Sequence, residues 1–173
     1  MQNIETKENS GIRWLWLTAI VFIIDQVTKY WTVQALELHE SYQVFSFFHF
    51  TYARNYGAAF SFLSDAGGWQ KYLFTGIAVV VSAYLIYALK KNSATQRWSN
   101  IAFALILSGA IGNVTDRLLF GYVVDFLDFD LGFYRWPTFN VADISIFIGA
   151  AMMILESLFT DNNKKESSES DES

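Results

Sequence analysis

Two aspartates, Asp125 and Asp143, are the residues of this chain best placed to do chemistry. The sequence has no GxSxG elbow, no HExxH and no phosphate-cradling loop. It has no cysteine and only two histidines, His39 and His49, which argues against a thiolate site or a histidine-rich metal cluster. Paired carboxylates remain. Two that lie close together cannot both ionise cheaply, so they share one proton. The ionised partner takes a proton from water as it attacks a carbonyl, and the protonated partner donates to the carbonyl oxygen or the leaving nitrogen. Asp125 shares a strand face with Val123, Leu127 and Phe129, an apolar setting that favours the acid form. Asp143 falls near a helix N-terminus, which favours the carboxylate. Asp128 and Asp130 fall on the other strand face and read as solvent-facing.

Apolar helices must position this pair. Hydrophobic residues make up 53% of the 173, and charged residues only 17%. Crossing the hydrocarbon takes about 20 mostly apolar residues. Four stretches qualify, at about 12–33, 72–89, 98–119 and 138–159. The expected fold is a four-transmembrane-helix bundle with a small extracytoplasmic β-cradle and a short surface helix at Asp65–Lys71. Residues 41–54 alternate and are rich in Phe and Tyr, which reads as one or two strands on the membrane surface; Tyr122–Phe129 reads as another. Residues 1–160 form one domain, and 161–173 form a Ser/Glu-rich tail expected to be disordered. The net charge of −5 sits mostly in the tails, and no basic stripe supports nucleic-acid binding.

With both termini cytoplasmic, Lys7, Arg13, Lys90, Lys91, Arg97, Lys164 and Lys165 lie inside, and only Arg54, Lys71, Arg117 and Arg135 lie outside. All six tryptophans fall at or near span ends. In this orientation the polar residues of the spans converge. Asp25 and Lys29 in the first, Asn113, Asp116 and Arg117 in the third, and Asn140 and Asp143 at the start of the fourth all fall in the outer third of the bilayer. Ionisable groups at such depth are costly and mark candidate functional sites.

Each also has a plain structural reading. Asn140 with Asp143 at the third helical position is a capping arrangement. Asp25 and Lys29, four apart, suit an intramembrane ion pair, and Asp116–Arg117 suits a headgroup anchor. His39 and His49 read as ordinary surface residues. The coincidence of these sites at one depth favours a functional site.

At these residues the chain resembles the lipoprotein signal peptidase family, also called signal peptidase II. The matching blocks are DQVTK at 25–29, NYGAAFSFL at 55–63, SGAIGNVTDR at 108–117, VVDF at 123–126 and FNVAD at 139–143. The resemblance implies an aspartic endopeptidase of the bacterial cytoplasmic membrane. Such an enzyme removes signal peptides from prolipoproteins just before a diacylglyceryl-modified cysteine, without a metal or other cofactor. It implies Asp125 and Asp143 as the catalytic pair. Asn55, Gly57, Asn113, Arg117 and Asn140 are implied around the substrate, and Asp25, Lys29 and Asp116 as structural support. Residues 41–54 match the family's cradle. The implied partners are the lipid-modified precursor and membrane lipids, with the enzyme acting as a monomer. Three rival readings are a proton channel or transporter, a Ser–Lys peptidase using Lys29 with Ser61 or Ser64, and a non-catalytic membrane scaffold.

Overall fold

The computed structural model describes residues 10–57 and 68–171, with backbone alone at residue 70 and from residue 160 onward. Four helices carry the fold: α1 (Leu15–Ala35, entered through a 3-10 turn at Gly11–Trp14), α2 (Gln70–Lys91), α3 (Arg97–Leu119) and α4 (Val141–Asp171). The stretches long and apolar enough to cross a membrane are Gly11–Ala35, Lys71–Lys91, Arg97–Leu119 and Val141–Phe159. Their outward residues are large and apolar, among them Ile23, Tyr72, Val80, Phe147 and Ile154. Lipid rather than water satisfies such surfaces. Of the expected surface helix at Asp65–Lys71, residues 65–67 lie outside the described residues; Gly68 and Trp69 form a turn, and Gln70 and Lys71 already belong to α2.

Helix α3 is the hub, touching α1, α2 and α4. Half of its apolar span is buried, against 11–17% for the other three. Small residues let α4 and the Asp25 side chain of α1 approach it closely. A methyl group on Gly109 would overlap the Ala142 carbonyl oxygen, and one on Gly112 would lie 2.6 Å from Asp25 Oδ2. Membrane helices lack a strong hydrophobic drive to associate, so contacts of this kind dominate their packing.

Three strands, β1 (Ser41–Phe45), β2 (Phe48–Asn55) and β3 (Val123–Phe129), form an antiparallel sheet in that order. The register sets Ala53 opposite Asp125 and Asn55 opposite Val123. The free edge of β3 is then taken up by the chain returning to α4. The amides of Phe126 and Leu127 donate to the Phe139 carbonyl at 3.0 and 2.9 Å, and the Phe139 amide donates to Leu127 at 3.1 Å. Stacked rings reinforce the turn, with Phe129 and Phe139 centroids 5.8 Å apart. This pairing brings Asn140 beside Asp125.

That return also overturns one expectation. Asp128 does not face solvent: it is 2% exposed. Its carboxylate pairs with Arg135 and accepts from Thr51 Oγ1 at 2.8 Å. The Arg135 hydrogen bond holds its carboxyl below the usual aspartate range. Strand alternation assigns faces only when one side meets water, and here the 130–139 segment covers the second side. At the C-terminus, helical backbone runs on from Phe159 to Asp171.

Candidate active site

Asp125 lies on β3 among apolar neighbours and is 2% exposed. Asn55 Nδ2 donates to its Oδ2 at 3.0 Å, and Asn140 Nδ2 donates to its Oδ1 at 2.6 Å. Burial pushes its carboxyl up to about 7, and the neighbouring charge of Asp143 adds to the rise. Asp143 sits in the first turn of α4. Asn113 Nδ2 donates to its Oδ1 at 2.8 Å.

Asn140 joins the two. Its side-chain oxygen accepts the Asp143 amide at 2.9 Å, and its own amide donates to Asp143 Oδ2 at 3.3 Å. This is the reciprocal cap expected from the sequence, with aspartate in the acidic position. The same Asn140 that caps α4 also holds Asp125 through its side-chain NH2 group. The capping and catalytic readings are therefore compatible, because the cap fixes one carboxyl group relative to the other.

All ten residues singled out from the sequence fall in one hydrogen-bonded network. Asn55 Oδ1 accepts the Gly57 amide at 2.9 Å. Arg117 reaches across, with Nη2 donating to the Gly57 carbonyl at 2.6 Å and Nη1 to the Asn113 carbonyl at 3.2 Å. Beneath lies the ion cluster. Lys29 Nζ is 2.9 Å from Asp25 Oδ2 and 3.1 Å from Asp116 Oδ2. It also donates to Asn113 Oδ1 at 3.0 Å.

One participant was not singled out from the sequence. Gln26 Nε2 donates to Asp25 Oδ2 and Asp116 Oδ1, both at 3.1 Å. A polar side chain deep in an apolar span was the available signal, but its neighbours Asp25 and Lys29 are the more conspicuous groups. Ser61 and Ser64, the nucleophiles of the Ser–Lys reading, lie outside the described residues. Lys29 itself is fully engaged by three acceptors and 3% exposed, which does not suit a general base. Among the described residues, no cluster of three metal-ligating groups occurs.

A groove of about 260 Å³ opens beside Asp143, lined by apolar residues of α2, α3 and α4 with Asn113 and Arg117 at its polar end. Arg117 Nε is buried there and has no hydrogen-bond partner among the described residues.

Residues 17–159 match the family described as signal peptidase (SPase) II. The chain belongs to the signal peptidase II family. It is 71% identical over 160 residues to the lipoprotein signal peptidase of Psychromonas ingrahamii, covering 92% of each chain. It is 53% identical to that of Alteromonas mediterranea, over 90% of this chain and 85% of the relative. A solved bacterial membrane enzyme superposes with a TM-score of 0.80 at 35% identity, covering 89% of this chain and 92% of that one. Membership makes this chain a membrane-embedded peptidase and sets aside the transporter and scaffold readings.

Proposed function

We propose that this signal peptidase II cleaves lipid-modified prolipoproteins with Asp125 and Asp143 as its catalytic dyad, at the outer edge of the cytoplasmic membrane. The observation that carries the proposal is Asn140, which hydrogen-bonds to both carboxyl groups and ties them to one helix start. In the working state Asp125 carries the shared proton, in keeping with its burial and raised pKa. Asp143 is the carboxylate, facing donors from Asn113 and the α4 terminus. Asp143 takes a proton from water, whose oxygen attacks the scissile carbonyl. Asp125 protonates the departing nitrogen as the C–N bond breaks, which leaves a new carboxyl end on the signal peptide and a free amine on the lipidated cysteine.

The apolar groove between α2, α3 and α4 suits a signal peptide that is already an apolar helix in the bilayer. Arg117 Nε, the buried donor left over at its polar end, suits a substrate carbonyl. Both termini are cytoplasmic by the distribution of basic residues, and one chain contains all the site residues, so a monomer is sufficient. The test is cleavage of a lipid-modified precursor by purified Asp125→Asn and Asp143→Asn, with unlipidated precursor as control. Both variants fold and neither cleaves; near-normal processing by either would remove the dyad.

A further inference from the structure

Lys29 offers three N–H bonds and meets three acceptors, one each from Asp25, Asp116 and Asn113. Each acceptor leads to the dyad. An ammonium group can only donate, so Asn113 must turn its carbonyl oxygen toward Lys29. Its NH2 group is thereby committed to Asp143 Oδ1, at 2.8 Å. Asp25 uses its second oxygen to accept the backbone amide of Ala142 at 2.9 Å, one residue before Asp143. Asp116 accepts the backbone amide of Val124 at 3.1 Å, one residue before Asp125. Gln26 bridges the two supporting carboxylates. A single buried cation is thus linked to the residue preceding each member of the pair, on two different elements.

We propose that Lys29 is the positioning residue of the dyad. It sets the spacing of the Asp125 and Asp143 carboxyl groups through Asp25–Ala142 and Asp116–Val124, and it locks Asn113 as a donor to Asp143. This rests on the dyad reading above. A purely structural ion cluster would influence stability but leave the kinetics of the folded enzyme alone. Positioning predicts a loss in the chemical step. It also predicts a change in pH dependence, because the charged groups surrounding Lys29 are Asp25 on α1, Asp116 on α3, Asp125 on β3 and Asp143 on α4. Its charge favours the ionised form of Asp125.

The test is the full-length enzyme carrying Lys29→Gln with Asp116→Asn, a pair that conserves local net charge and keeps a side-chain oxygen at position 116 for the Val124 amide. Folding is followed by thermal unfolding, and kcat and KM with lipidated precursor across pH. The expected result is a folded protein with kcat down about 100-fold, as for a misplacement on the order of 1 Å, and KM changed by no more than about twofold, since binding is left intact. Wild-type kcat and pH profile in the folded double variant would overturn the proposal, and the dyad would still stand if Asp125→Asn and Asp143→Asn are inactive. If the double variant does not fold, the wild-type enzyme decides the matter through nitrogen-15-labelled lysine. The Lys29 ammonium resonance moves as the dyad titrates near the Asp125 value, and that movement vanishes in Asp125→Asn. A resonance unmoved across the titration overturns the proposal.

Discussion

Replacing Asp125 with Asn is expected to abolish cleavage and to reverse sign in its effect on stability between acid and alkaline pH. The magnitude follows from burial. The carboxyl group is raised from its ordinary 3.8 to about 7, and each unit corresponds to about 1.36 kcal/mol, so ionising it inside the fold costs about 4 kcal/mol. Because the folded value lies above the unfolded one, the native state keeps a proton that the unfolded chain has already released. Wild-type stability therefore declines as pH rises through the window from about 4 to about 7, and the full cost is present above it. Asparagine does not titrate and carries no such cost. It does lose a hydrogen bond, because Asp125 accepts from both Asn55 and Asn140, and an amide has only one oxygen to offer. Leaving one donor facing an NH2 group costs about 1–3 kcal/mol. The variant should thus be less stable than wild type by about 1–3 kcal/mol at pH 4, and more stable by a similar amount at pH 8. Unfolding in mixed micelles, followed by tryptophan fluorescence at several pH values, measures this. A stability difference that stays constant from pH 4 to pH 8 would refute the argument that burial of an ionisable Asp125 sets the site's electrostatics.

Three further outcomes follow from the same geometry. The rate of precursor cleavage should fall on the alkaline side with an apparent pKa near the Asp125 value of about 7, because the proton donor is lost; a log kcat/KM profile flat to about pH 9 would contradict this. Gly109→Ala should push the start of α4 away from α3, since the added methyl meets the Ala142 carbonyl. That overpacking costs about 1–3 kcal/mol and greatly lowers activity, and a variant with wild-type melting and turnover would show that the close approach is dispensable. Asp128→Ala removes a partner of Arg135 and Thr51 and should destabilise the sheet by about 1 kcal/mol, because Arg135 is half exposed and Thr51 keeps Ser41; unchanged melting would mean that the 130–139 return is held by its backbone and rings alone.

The helices and most of the site were legible because membrane burial makes polar residues expensive, so those that remain stand out. Asp25 and Lys29, four residues apart, form the ion pair that their spacing suggests. Asn140 and Asp143 form the cap that theirs suggests. What the spacing could not convey is that Asn140 spends its side-chain amide hydrogens on Asp125, since that depends on Phe139 pairing with Leu127 across the edge of β3. The misreading of Asp128 has the same origin, as a non-local segment covers a face that alternation alone leaves to solvent. The grip of Asp116 on the Val124 amide was equally hidden, because backbone donors carry no sequence signature.

The central claim is that one peptide bond is worked on by Asp125 and Asp143 together. A high-resolution experimental structure with an uncleavable lipidated peptide bound tests it most directly. The scissile carbonyl should lie between the two carboxyl groups, within about 2.6–3.2 Å of one or joined to it by a single water. A carbonyl seated away from both, or carboxyl groups too far apart to reach it together, would contradict the account.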